Sequence, residues 1–383
     1  MTPRARIAAG LAAEIDACRL PGAVLKVVHR GRVLADLALG RRDPAHDAPM
    51  PDDAIFRIYS MTKPLVSVAA LMLMEEGRLQ LADPVAAWLP AFGAMRVVAR
   101  DGGTVPALRP IRLHDLLTHS SGLTYGGRSA DPAIRAAHAG LPVNPRALTP
   151  EDFAARLAAA PLLHQPGTTW EYGFSTDLLG LVLAQATGQS LETLLRTRLL
   201  DPLGMADTGF ALAEATRLAQ PFAADPLGGA AWTLPDQTYD PTEPARMASG
   251  GAGALSTAGD YLRFTRMLLS GGTLDGVRIL SPASVRLMTA DHLGHAIATP
   301  ISPGEAAMQS PGYGFGLGVA VRLADGLASV PGSAGDYFWS GSAATGFWVD
   351  PREDLAAVFM AQTPGAMRLR LRRLLRQLVY QAL

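Results

Sequence analysis

A single cysteine, Cys18, occurs in 383 residues, so the chain forms no internal disulfide and carries no thiolate cluster for zinc or an iron–sulfur centre. An excess of charge of one sign is also missing. Thirty-four Lys and Arg balance 34 Asp and Glu, which removes the electrostatic signature of a protein that binds nucleic acid or an anionic membrane. Long apolar runs are absent too. The longest, Leu65 to Met74 with Ser67 inside it, is about half the length needed to cross a bilayer. The opening residues, MTPRARIAAGLAAEIDAC, lack a continuous apolar segment and carry Glu14 and Asp16 where one would lie. They read as an amphipathic helix rather than a secretion signal, and a cytoplasmic protein with no membrane or nucleic-acid partner is expected. Hydrophobic residues make up 49% of the chain, enough for a large core and too many for disorder.

What is present falls into three stretches. Gly22–Gly40, GAVLKVVHRGRVLADLALG, reads as two strands about a turn at Arg30-Gly31-Arg32, and an apolar helix ending at Gly77 follows. From about Leu79 to Asp240, short helices alternate with Pro- and Gly-rich loops. Within them STDLLGLVLAQATG (Ser175–Gly188) is a clear helix, with Ser175 as the expected N-cap. From Gly312 to Gln362 the runs GFGLGVAVRL, DYFWS, TGFWVDP and LAAVFMAQ are strand-like, and AMRLRLRRLLRQLVYQAL closes the chain as a helix. Strands and a helix at both ends, with helices between, predict an α+β fold. Its sheet is antiparallel, assembled from both chain termini and flanked by helices, beside a mainly helical domain. The expected division is a discontinuous α/β domain, 1–80 with 245–383, and a helical domain, 81–244.

Three motifs can carry chemistry. The first heads the apolar helix: in IFRIYSMTKPLVSVAALMLMEEG, Ser60 and Lys63 stand at i and i+3, on one helical face. A serine hydroxyl becomes a nucleophile when a neighbour takes its proton, and a lysine in apolar surroundings can be that neighbour. The alternative is that Ser60 and Thr62 cap a core helix while Lys63 reaches outward. Pro64 disfavours helical geometry at Lys63, so an irregular first turn is expected. The second motif is PGTTWEYGFSTDLLG, where Tyr172 precedes a helix; a phenol beside a cationic amine can share acid and base duties, or merely anchor the loop with Trp170 and Phe174. The third is YFWSGSAATGFWVDP. Here a strand carrying Trp339, Ser340, Gly341 and Ser342 can offer an amide to an oxyanion, or be a plain strand with a bulge.

Other signals are weaker. Ser333 lies in Pro-Gly-Ser-Ala-Gly, which lacks the first Gly and the strand–helix context of a nucleophile elbow. His119 and the His292/His295 pair lack metal-ligand spacing, and His119 reads as a hydrogen-bonding residue beneath the site. No metal or cofactor is expected. The alternating Gly312, Gly314, Gly316 and Gly318 suggest one strand with a bare face. The five arginines between Arg368 and Arg376 read as the solvated face of the last helix.

The order and spacing of the three motifs resemble the serine β-lactamase and penicillin-binding protein superfamily, whose Ser-x-x-Lys signature they share. The blocks IFRIYSMTKPLVSVAALMLMEEGRLQLADPV, LHDLLTHSSGLTYG, SGGAGALSTAGDYLRF and GYGFGLGVAV resemble more closely the family VIII carboxylesterases, built on a class C β-lactamase-like fold. The resemblance implies Ser60 as acylated nucleophile, Lys63 as its base partner and Tyr172 as general base and acid. It also implies the amides of Ser60 and Ser342 as oxyanion hole. Trp339, Ser340, Gly341, Tyr125 and Phe174 are the expected substrate-binding residues. Two departures bear on substrate. The β-lactamase Tyr-x-Asn is Tyr172-Gly173-Phe174 here, and Trp339 stands where those enzymes use Lys. Both changes weaken recognition of a β-lactam and favour an uncharged small-molecule ester. Other readings on the same scaffold are an acyltransferase, an amide hydrolase, or a binding protein that is acylated once and stays so.

Overall fold

Two segments are almost wholly apolar, GAVLKVVH near the start, with Lys26 as its one charged residue, and LAAVFMA near the end, and such strands belong at the centre of a covered sheet. The computed structural model describes residues 2–99, 102–126, 129, 132–222, 239–294, 312–363 and 367–383. In chain order, the elements that build the sheet and the site begin with helix α1 (Pro3–Asp16), strands β1 (Gly22–His29), β2 (Arg32–Asp43), β3 (Ala48–Pro49) and β4 (Ile55–Arg57), and helix α2 (Thr62–Glu75). Helices α3 (Leu113–Leu117) and α4 (Ser175–Thr187), strand β5 (Leu255–Thr257) and helix α5 (Ala258–Leu269) follow. Strands β6 (Tyr313–Phe315), β7 (Ala320–Arg322), β8 (Tyr337–Ser340), β9 (Gly346–Asp350) and β10 (Leu355–Ala361) lead to helix α6 (Met367–Tyr380).

The main sheet runs β6-β7-β8-β9-β10-β1-β2-β3, every pair antiparallel. Its two central strands are the two apolar segments, joined in register from Ala23↔Ala361 to His29↔Leu355. The sheet is therefore built from both ends of the chain, as the sequence implies. Alternation along β9 shows what covers each face. The Phe347 ring meets Tyr261 of α5 on one side, at 5.3 Å between centroids. On the other, the Arg376 guanidinium of α6 lies 5.4 Å from the Trp348 ring. Helix α1 joins α6 through the Glu14–Arg370 ion pair at 2.8 Å.

Four sequence expectations need correction. GFGLGVAVRL is not one strand: it folds back between β6 and β7, because Gly318 takes φ 93° and sits where a Cβ would lie 2.2 Å from the Ser67 hydroxyl. The third-motif strand ends at Ser340, and Gly341 and Ser342 belong to the turn closed by the Gly341 N–H on the Thr345 carbonyl at 2.9 Å. Ser175 does not cap α4; it is the helix's first residue, with its hydroxyl 2.8 Å from that of Ser121. Arg376 is not on a solvated face. It is buried against the fully buried Asp336, which also binds Arg322 at 2.6 Å.

Candidate active site

The first motif is laid down by strand pairing. β4 runs antiparallel to β5, Ile55↔Thr257 to Arg57↔Leu255, and the Ile58 N–H continues the ladder to the Ala254 carbonyl at 3.1 Å. The chain then turns sharply. Tyr59 adopts φ 45°, a left-handed conformation that a bulky residue holds only when its surroundings enforce it. The Thr62 hydroxyl donates to the Tyr59 carbonyl at 2.6 Å and accepts the Ala254 N–H at 3.1 Å, which fixes that turn. A 3₁₀ turn over Tyr59–Met61 leads into α2. Pro64 falls at the third helical residue, where a missing N–H costs no intrahelical bond. The irregularity expected from Pro64 at Lys63 is therefore not found: Lys63 is helical, and the irregular turn is the 3₁₀ segment before it, set by Tyr59.

Ser60 is partly exposed, whereas Lys63 is wholly buried. The Lys63 amine donates to the Gly251 carbonyl at 2.7 Å and the Tyr125 hydroxyl at 3.1 Å, and reaches Ser60 Oγ at 3.5 Å. No carboxylate forms an ion pair with it among the described residues. Instead the amine lies 4.5 Å from the centre of the Tyr172 ring, a cation–π distance. Tyr172 is buried, and its hydroxyl has no hydrogen-bond partner among the described residues. The motif is supplied by the loop before α4, so α2, α4 and the Gly251 loop converge on one amine.

Around Tyr172 stands an aromatic wall. Trp339 packs on it at 5.5 Å, Trp170 stacks at 6.0 Å, and Phe315 closes the far side of Trp339 at 5.2 Å. Beneath it, the His119 ring is 4.7 Å away and fully buried. His119 does lie under the site, but neither ring nitrogen is hydrogen-bonded among the described residues. Burial, with the nearby charge of Lys63, pushes its imidazole well below the ordinary histidine range. His292 bonds to His114 at 3.1 Å; His295 lies outside the described residues.

The third motif reaches the first through Gly341. A Cβ there would lie 2.5 Å from the Ile58 carbonyl and 2.2 Å from Thr345 Oγ1, so only glycine lets this turn press against the chain two residues before Ser60. Ser342 follows in that turn, partly exposed. The expected substrate-binding set is only partly brought together. Trp339 faces Tyr172, but Ser340, its neighbour on the strand, points to the opposite face and accepts from Arg372 of α6 at 2.6 Å. Phe174 has no exposed surface; it packs behind Tyr125 at 4.7 Å and against Phe153 at 5.6 Å. Tyr125 holds the amine rather than a wall. Sequence reasoning missed the Gly251 carbonyl, although its SGGAG loop opens one of the blocks that carry the family resemblance.

Together these groups place a partly exposed hydroxyl beside a buried amine and a phenol that is unpartnered among the described residues, under an apolar wall. That is the chemistry of acyl transfer through a serine. A family model described as Beta-lactamase matches residues 5–381, nearly the whole chain. The chain belongs to the β-lactamase family. Among relatives of this family member, Protein Rv1367c of Mycobacterium tuberculosis is 39% identical over 91% of this chain and 87% of its own. Esterase EstB of Burkholderia gladioli is 33% identical over 93% of this chain and 91% of its own. Among solved structures, EstCE1, described as a hydrolase with promiscuous acyltransferase activity, superposes with a TM-score of 0.82 at 29% identity, covering 99% of this chain and 98% of that one. The esterase resemblance read from the motifs holds, and the chain is a serine hydrolase of this family. No described helix is long and apolar enough to cross a membrane.

Proposed function

We propose that the protein is a carboxylesterase that hydrolyses short- to medium-chain esters through an acyl-serine. The observation that carries this reading is Ser60 Oγ at 3.5 Å from the buried Lys63 amine, with the Tyr172 hydroxyl, which has no partner among the described residues, in the same cluster. Ser60 Oγ attacks the ester carbonyl, and its proton passes to the Tyr172–Lys63 pair. The tetrahedral oxyanion is met by the amides of Ser60 and Ser342. Collapse expels the alcohol, which takes the proton from Tyr172. Water then adds to the acyl-serine with Tyr172 as base, and the acid departs as Ser60 regains its proton.

The aromatic wall of Trp339, Tyr172 and Phe315 supports uncharged substrates. It also supports only weak activity toward cephalosporin-type β-lactams, which open by the same first step. Acyl transfer to an added alcohol is a second reading, favoured by the description of EstCE1 as having that activity. Ser60→Ala is the decisive test: turnover of p-nitrophenyl butyrate falls by at least about 10³-fold. Retained turnover refutes the assignment. A series of p-nitrophenyl esters of rising length gives the chain preference, an alcohol acceptor reveals transfer, and intact mass distinguishes a hydrolase from a protein that stays acylated.

A further inference from the structure

Asp177 is a fully buried carboxyl that the reaction steps above do not use. It occupies the first turn of α4, on the same segment as Tyr172. Its Oδ1 accepts the Ser249 hydroxyl at 2.5 Å and the Gly251 N–H at 3.0 Å. The Ser249 hydroxyl in turn accepts the Ala252 N–H at 3.1 Å. The carbonyl of that same Gly251 is the closest partner of the Lys63 amine, at 2.7 Å. One residue therefore joins a carboxyl at its N–H to the amine at its C=O.

The fit between the two is close. A Cβ on Gly251 would lie 2.2 Å from Asp177 Oδ2, and one on Gly250 would lie 2.6 Å from the Thr176 carbonyl. The Ser249-Gly250-Gly251 loop thus lies flat on the first turn of α4, held there by Asp177. Burial raises the Asp177 carboxyl above its ordinary range, while the charge of Lys63 and the bonds from Ser249 and Gly251 oppose that rise. The charged group that its field meets is Lys63, which nevertheless does not touch it. Burying a carboxyl costs free energy, so the site retains a costly group whose bonds to other residues, among the described ones, go to one loop.

We propose that Asp177 is a positioning residue for the reaction, aiming the Gly251 carbonyl at Lys63 and so holding the amine against Ser60, without touching substrate. This rests on the Ser60–Lys63 esterase reading. A misplaced catalytic group costs rate more than binding, because the substrate still meets the same wall.

Three variants test it with p-nitrophenyl butyrate, alongside thermal unfolding and Ser60→Ala. Asp177→Ala lowers kcat by about 10²-fold while KM stays within about threefold. Asp177→Asn keeps an oxygen acceptor for Ser249 and Gly251 and restores kcat to within about tenfold of the parent. Ser249→Ala, a milder change that removes one donor to the carboxyl, lowers kcat by about tenfold at unchanged KM, and decides the question if Asp177→Ala does not fold. Parental kcat in a folded Asp177→Ala or in Ser249→Ala overturns the proposal, as does an Asn variant no better than Ala. If Ser60→Ala still turns over, the esterase reading fails; if it is inactive and Asp177→Ala is normal, this inference alone fails.

Discussion

The hydroxyl of Tyr125 lies 3.1 Å from the Lys63 amine, whereas Tyr172 offers that amine only its ring. Two phenols thus share one cation in different ways. Tyr125 is committed to the amine, and the Tyr172 hydroxyl is left for the substrate. Tyr172→Phe is expected to lower kcat by about 10²–10⁴-fold, the range for loss of a general acid–base. Tyr125→Phe removes one hydrogen bond to a charged group and is expected to cost about tenfold. Steady-state kinetics on a chromogenic ester check the order, and a larger loss for Tyr125→Phe would exchange the two roles.

Gly341 is expected to be as sensitive as a catalytic residue although it has no side chain. Gly341→Ala places a methyl against the Ile58 carbonyl, a backbone atom that cannot step aside, so the turn carrying Ser342 must retreat. The Ser342 amide, proposed as an oxyanion donor, retreats with it. A fall of about 10²-fold in kcat is expected, comparable to removing one oxyanion donor, with a lowered melting temperature.

The buried imidazoles set an acid limit to stability. Burial, with Lys63, holds His119 well below its ordinary value of 6.5, and burial also lowers His114 and His138. Below 6.5 the unfolded chain gains protons at these positions that the folded chain refuses, so stability falls as pH drops through that value. Each such proton contributes at most a slope of about 1.4 kcal/mol per pH unit, and only between the group's folded and unfolded values. Denaturant titrations at pH 7.5, 6.5 and 5.5 should show this loss, and His119→Phe should reduce the slope by one proton.

Asp336 joins Arg322 at 2.6 Å and Arg376 at 2.9 Å, with the Tyr313 hydroxyl donating at 2.8 Å, all under α6. Asp336→Ala leaves two guanidinium groups buried without a carboxylate and is expected to destabilise by about 3–5 kcal/mol. Chemical denaturation measures this directly. Because the cluster lies on the sheet face opposite Tyr261, kcat of the folded fraction should change little.

The residues that could be read from the sequence are those whose meaning is local. Ser60 and Lys63 share a helical turn, Tyr172 sits just before a helix start, β10 is apolar throughout, and β1 is apolar except for Lys26 and its terminal His29. What could not be read depends on partners far along the chain. Arg376 looks solvated until Asp336 comes to meet it from the turn before β8. Ser340 looks like a wall residue beside Trp339, yet the period of two in a strand sends neighbours to opposite faces. Gly318 fits a strand pattern by composition, and only its approach to Ser67 makes it a reversal. The Gly251 carbonyl has no side-chain signature at all.

The pairing of Ala23 with Ala361 and His29 with Leu355 has a consequence for biogenesis. The N-terminal hairpin leaves the ribosome early, but the strand that completes its inner edge is among the last pieces to be made. During most of translation that edge is an open template for any other nascent strand. The enzyme should therefore fold after synthesis rather than during it, slowly for its size, and depend on chaperones when expressed fast. A truncation that removes β10 and α6 should be lost to aggregation even though every motif residue is still encoded.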